Sequence, residues 1–230
     1  MKNIRLSAES AHRVAAALAQ LELDSPVLLE EIGSDPLDVL VATILSQAAG
    51  DRTTREIFRD LKMRYPRWED LREAPVEELE SLLRRGGLAR QKALRIKALL
   101  AQLPAHPEGT PTLDPLLTGG DDEVMDRLQG LGGVGPKTAA CVLLFALNRP
   151  VFPVDTHVLR IAKRLGWVGA KENAAKAQEL LSQVIPSELQ RPLHTALIRF
   201  GREFCQARRP KCAFCPLRVD CAYGQARDHS

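Results

Sequence analysis

Leu128-Gln129-Gly130-Leu131-Gly132-Gly133-Val134-Gly135-Pro136-Lys137-Thr138-Ala139-Ala140 decides how the rest of the chain is read. Upstream, Asp122 to Leu128 has the pattern of a helix that stops at the glycines. Downstream, Pro136 fits a first helical position, and Thr138 to Leu147 is an apolar, alanine-rich helical stretch. The segment therefore predicts helix, glycine hairpin, helix. Its glycines permit positive φ and close backbone approach. The free N–H groups of the turn and the positive start of the second helix form a natural seat for an anion. A plain helix–helix turn is the bland alternative. A dinucleotide-binding loop fits less well, because a helix rather than a strand precedes the glycines.

Lys137 falls in the first turn of the second helix, where the helix dipole disfavours a cation. A structural lysine gains little there, whereas a nucleophilic lysine needs the neutral amine that such a place favours. Eighteen residues later, Val154-Asp155-Thr156-His157-Val158-Leu159-Arg160 opens another helix with Asp155 as its N-cap.

The hairpin Leu131-Gly132-Gly133-Val134-Gly135-Pro136-Lys137-Thr138-Ala139, followed by Val154-Asp155-Thr156-His157-Val158, resembles the helix-hairpin-helix DNA glycosylases of the endonuclease III group. The resemblance implies that Lys137 is the nucleophile and Asp155 the essential acid. It also implies that the hairpin, through Leu131, Gly133 and Gly135, holds a DNA phosphate by backbone contacts. Gly132 stands where the family usually has proline, a change that removes no donor.

Composition frames this reading. The chain has 230 residues, enough for one large or two small domains. Aromatics make up only 4% while alanine and leucine abound, which favours helices over sheets. A net charge of +3 is too mild to indicate nucleic acid alone. Met1 to Arg5 lacks the apolar run of a leader, and no stretch is long enough to span a membrane. A cytoplasmic, in bacteria nucleoid-associated, monomer is expected. Five cysteines in a reducing compartment argue for metal or chemistry rather than disulfides.

The remaining pattern predicts an all-α protein. Helical spacing covers Ala8 to Leu23, Pro26 to Ile32, Leu37 to Ala48, and Asp51 to about Arg64. A single turn is expected at Trp68 to Arg72, then helices from Pro75 to before Gly86 and from Ala89 to Leu103. Pro104 to Gly120 reads as an irregular connector. Helices over Asp155–Leu165, Asn173–Ile185 and Ser187–Phe204 follow the hairpin. The resemblance implies two helical lobes: residues 29–149 as a six-helix domain with the hairpin, and residues 1–28 with 150–230 as a cluster domain.

Two further stretches match the family. Leu45-Ser46-Gln47-Ala48-Ala49-Gly50-Asp51 matches its L-S-Q-x-x-x-D form, in which the glutamine fills the gap left by an everted nucleotide, so Gln47 is the candidate. Ala48 occupies the glutamine place of the alternative L-S-x-Q form. Gly87-Leu88-Ala89-Arg90-Gln91-Lys92-Ala93 resembles the family's G-L-x-x-x-K-A loop, whose leucine wedges into the base stack. For Leu88 a wedge is physically sensible, since an apolar residue offsets unstacking. A buried loop anchor is the alternative.

Cys205, Cys212, Cys215 and Cys221 form C-x6-C-x2-C-x5-C. Four thiolates in a short loop suit zinc or an iron–sulfur cluster by ligand type. The resemblance implies a 4Fe–4S cluster, because that spacing is the family's. Cys141, in the helix after Lys137, reads as a small buried core residue. Arg199, Arg202, Arg208, Arg209, Lys211 and Arg218 make the cysteine segment basic. Such runs are usually solvated faces, but beside a DNA-binding fold Arg208 and Lys211 become candidate phosphate contacts.

The implied partner is double-stranded DNA carrying a damaged base or an abasic site. The implied activity is removal of oxidised pyrimidines with strand cleavage through a lysine Schiff base. One competing reading is a monofunctional mismatch or adenine glycosylase, whose members usually lack the lysine. The adenine-directed ones carry a long C-terminal extension, whereas this sequence stops nine residues after Cys221. A non-catalytic DNA-binding module with structural zinc is the other.

Overall fold

The computed structural model describes residues 6–226; Met1 to Arg5, read above for the absence of a leader, lie outside them. Among the described residues every regular element is helical, and the one β-bridge joins Ala105 to Pro111 within the connector. No helix among them is long and apolar enough to cross a membrane. The chain divides into two compact units, Leu28–Asn148 and the two ends, Met1–Val27 with Arg149–Ser230.

The unit of the two ends begins with α1 (Ala8–Ala19), closed at its start by reciprocal hydrogen bonds between Ser7 and Ser10. Helical spacing runs on to Leu23, yet α1 stops at Ala19, and Leu21 and Leu23 bury part of their apolar surface from an irregular backbone.

The central unit runs from α2 (Pro36–Leu45) through α3 (Asp51–Arg64), α4 (Trp68–Glu73), α5 (Val76–Leu83), α6 (Ala89–Gln102) and α7 (Asp121–Gln129) to α8 (Pro136–Cys141). Before α2, the stretch predicted as a helix from Pro26 to Ile32 forms only a 3₁₀ turn at Leu28–Glu30. It is too short to sustain an α-helix, and the Leu28 N–H is taken by the Asp51 carboxylate at 2.8 Å. Asp35 caps α2 and Pro36 fills its first position. Leu37 and Val39 through Leu45 are all buried, so α2 is surrounded on every side. It packs against α3, α6 and α8. α8 continues into a π-helical turn at Val142–Ala146, whose first four residues are buried, as is Cys141.

The rest of the end unit comprises α9 (Thr156–Leu165), α10 (Ala174–Val184), α11 (Ser187–Glu203) and α12 (Ala222–Ala226). α11 packs on α1 and α9 around Val14, Leu18, Phe152, Ile161, Leu197 and Phe200. Its last turn delivers Cys205 into an irregular segment that ends at Cys221.

Candidate catalytic and DNA-contacting site

The hairpin owes its shape to two buried apolar anchors and one left-handed glycine. Leu131 and Val134 turn into the core, while Gly132, Gly133 and Gly135 are exposed. The Leu131 N–H donates to Leu128 O at 3.2 Å and the Val134 N–H to Leu131 O at 3.1 Å. Leu131 therefore serves the hairpin as an anchor, with neither its side chain nor its N–H turned outward. Gly132 N–H donates to the Gln102 side-chain oxygen at 3.3 Å. Gly133 and Gly135 keep N–H groups without a protein acceptor among the described residues. Gly133 has φ +86, which favours glycine, and a Cβ there would lie 2.5 Å from Arg95 Cδ, so any side chain would make Arg95 shift.

Lys137 follows immediately, half-buried in the first turn of α8, with no ion pair among the described residues. Asp155 is the N-cap of α9; its Oδ1 accepts the Val158 N–H at 2.8 Å. Lys137 belongs to the central unit and Asp155 to the end unit. His157, in the first turn of α9, is partly buried, and that burial lowers its pKa.

Two other turns carry the remaining candidates of the central unit. After α2 the chain passes through Gln47, half-buried, and Ala48, exposed with φ +55. Before α6 it passes through Gly87 at φ +66 and Leu88 at φ +51, ψ +33. Leu88 is 51% exposed. A left-handed conformation costs an L-residue about 1–2 kcal/mol. Ala48 and Leu88 are thus strained backbone positions, and Leu88 is a large apolar side chain left in water. Arg95 Nη1 donates to Gln47 Oε1 at 2.5 Å.

In the end unit the four cysteines line one small cavity of about 20 Å³, together with Ile161, Leu165, Phe200 and Leu217. Two arginines on α9 hold the rim of this cavity. Arg160 donates to the carbonyls of Cys205 and Gly201 at 3.0 and 2.8 Å. Arg164 donates to Gln206 O at 2.8 Å, Ala207 O at 2.9 Å and Cys205 Sγ at 3.2 Å. Gly224 N–H points at Cys221 Sγ from 3.4 Å. Burial pushes the Cys215 thiol up to about 11, with the neighbouring cysteines adding to the rise. Cys221 is raised by burial as well. Thiolates in such a place need a cationic centre to stay ionised. Among the described residues no three Cys, His, Asp or Glu side chains close on one point as ligands of a single ion would. By ligand type, four soft sulfur donors lining one cavity suit zinc or an iron–sulfur centre. Arg208 and Lys211 are exposed on the same segment.

Lys92, Arg95, Gln102, Arg160 and Arg164 went unrecognised in the sequence. Lys92 sits inside the G-L-x-x-x-K-A stretch, and the four-residue spacing of Arg160 and Arg164 marks one helix face. Neither signal names a partner.

Residues 41–187 match the family model described as HhH-GPD superfamily base excision DNA repair protein. The chain is 36% identical over 199 residues to endonuclease III of Bacillus subtilis (strain 168), an alignment covering 86% of each protein. It is 39% identical over 183 residues to the putative DNA glycosylase At3g47830 of Arabidopsis thaliana, covering 80% of this chain but 62% of that longer protein. Among solved structures, a non-covalent endonuclease III–DNA complex superposes with a TM-score of 0.80 at 32% identity, over 98% of this chain and 100% of that one.

Proposed function

Because this chain belongs to the HhH-GPD superfamily of base excision DNA repair proteins, we propose that it is a bifunctional DNA glycosylase and AP lyase. Its substrate in this reading is an oxidised pyrimidine in double-stranded DNA, on which it acts as a monomer, in a bacterium on nucleoid DNA in the cytoplasm. The observation that carries the reading is Lys137: an amine with no ion pair among the described residues, directly after a hairpin that offers two free N–H groups.

In this mechanism Gly133 and Gly135 donate to a phosphate beside the lesion, contacts that position the duplex without reading its sequence. Leu88 enters the stack and Gln47 occupies the place of the extruded nucleotide. The neutral Lys137 amine attacks the sugar C1′, and the bond to the damaged base breaks with its electron pair leaving on the base. Loss of the amine protons and opening of the sugar ring give the Schiff base. Removal of a C2′ proton then expels the 3′ phosphate, which cuts the strand. Asp155 either accepts a proton from Lys137 or stabilises positive charge on the sugar. Cys205, Cys212, Cys215 and Cys221 would hold a 4Fe–4S cluster, which supplies a rigid cross-link for the basic loop and no bond-making step. Arg208 and Lys211 on that loop then meet the phosphate backbone.

Borohydride trapping on a duplex carrying thymine glycol tests this. A covalent protein–DNA adduct that disappears in Lys137→Gln is the expected result. Base loss revealed only by alkali, without an adduct, would make the protein monofunctional and overturn the lyase assignment.

A further inference from the structure

Lys92 is 2% exposed, and its ammonium lies between two backbone carbonyls: Leu45 O at 2.8 Å and Gly86 O at 2.7 Å. A buried cation is unfavourable without fixed acceptors, and a place in the first turns of α6 adds the opposition of the helix dipole. Burial accordingly lowers its pKa. An apolar side chain in its place would leave both carbonyls without this donor, so the value of the cation lies in what it joins.

The two carbonyls belong to different turns. Leu45 is the last residue of α2 and leads into Gln47 and the left-handed Ala48; Gly86 leads into Gly87 and the left-handed Leu88. The turns also approach each other directly, since a Cβ on Gly87 would lie 3.4 Å from Ala48 O. Three residues beyond Lys92, Arg95 takes hold of Gln47 through its amide oxygen. Arginine offers only donors, so the amide must present its oxygen to Arg95 and its NH₂ elsewhere. One helix face therefore fixes both strained turns and one side chain of the first.

We propose that Lys92 is a positioning residue that locks the Gln47–Ala48 turn to the Gly87–Leu88 turn, so that the gap-filling and wedging groups enter DNA as one preassembled unit. The inference rests on the base-extruding reading of Gln47 and Leu88. It assigns to Lys92 the extrusion step and leaves the chemistry at Lys137 untouched. Its effect must therefore depend on whether the target base is still stacked.

The test compares full-length wild type, Lys92→Met and Gly87→Ala in single-turnover reactions on two duplexes. One carries thymine glycol paired with adenine; the other carries a preformed abasic site, with no base left to unstack. A 2-aminopurine next to the target reports unstacking on mixing. The expected result is a loss of at least tenfold on thymine glycol and under threefold on the abasic duplex, with a matching slowing of the fluorescence rise. Equal losses on both duplexes, following a lowered melting temperature, would show a merely structural lysine and overturn the proposal. No loss on either would overturn it too. If Lys92→Met fails to fold, Gly87→Ala carries the comparison, because it disturbs the same junction from the opposite side. A wild-type protein that releases no base overturns the excision reading instead, and does so before any variant is compared. The fluorescence rise needs only binding, so it tests Lys92 even then.

Discussion

The hairpin and the cysteine segment are both short and irregular, and both are proposed to meet DNA, yet they are held by opposite means. The hairpin is clamped from within its own unit, by buried Leu131 and Val134 below and by Arg95 and Gln102 of α6 across its glycines. The cysteine segment contains little apolar material. Its rim hangs on the arginines of α9, and its centre is a cavity walled by four thiols, of which burial raises the pKa of Cys215 and Cys221. One region is complete as a packed structure, whereas the other is proposed to be completed by a cofactor. Damage should therefore spread differently from the two.

The largest expected effect tests whether the hairpin side is purely chemical at Lys137. Lys137→Gln removes an amine that has no ion pair among the described residues, so the melting temperature should hold. Strand cleavage should fall by a factor on the order of 10³ or more. Quenched single-turnover assays on an abasic duplex measure this directly. Cleavage within tenfold of wild type would move the nucleophile elsewhere.

Next comes the cofactor side. Cys212→Ser should strip iron and abolish absorbance at roughly 400 nm, where thiolate-bound clusters absorb. Hydrogen exchange should then show lost protection around 199–226 and retained protection around 89–147. If the hairpin amides open equally, the two regions are not independent and the contrast drawn above is wrong.

How much of this could be read from the chain follows the same divide between local and distant causes. The helical character was legible, because apolar spacing, caps and glycine stops act within a few residues. Asp155 as an N-cap is of that kind, and so is the stop of α7 at Gly130. Cys141 as core also needed only its place in an apolar helix. The pieces of α6 were not legible: Lys92 reaches Leu45, Arg95 reaches Gln47 and Gln102 reaches Gly132, across sequence separations of 47, 48 and 30 residues. Arg160 and Arg164 look like ordinary basic residues on a helix. Their true partners are carbonyls on the far side of α10 and α11. Leu21 and Leu23 misled for the converse reason, since burial in an irregular segment imitates a helical stripe.

A smaller effect sharpens the hairpin half. Gly133→Ala places a Cβ where Arg95 now lies and forces a left-handed alanine, at about 1–2 kcal/mol. Arg95 can move aside, but doing so releases Gln47. Duplex affinity should drop about tenfold, the equivalent of 1.4 kcal/mol, while cluster absorbance is unchanged. Titration of a fluorescent abasic-analogue duplex, paired with a visible spectrum, reads both. A bleached cluster in this variant would contradict the separation of the two regions.

The mildest prediction concerns Gly132, the one position where the hairpin departs from its usual pattern. A proline there would have no N–H, whereas glycine keeps one and gives it to Gln102. Glycine also leaves the turn more freedom than proline would, and the Gln102 contact is what restricts it. That bond is long, at 3.3 Å, and exposed, so Gln102→Ala should destabilise the protein by only about 0.5 kcal/mol. Affinity for duplex DNA should weaken slightly more than stability does, because a loosened hairpin must be reordered on binding. Gly132→Pro should then separate two roles for Gln102. In the wild-type background the new ring meets the Gln102 amide, whose nitrogen would lie 3.2 Å from a Cβ. In the Gln102→Ala background that obstacle is gone, and proline should restore affinity by stiffening the turn. If proline fails to rescue the double variant, Gln102 acts through something other than the rigidity of the hairpin.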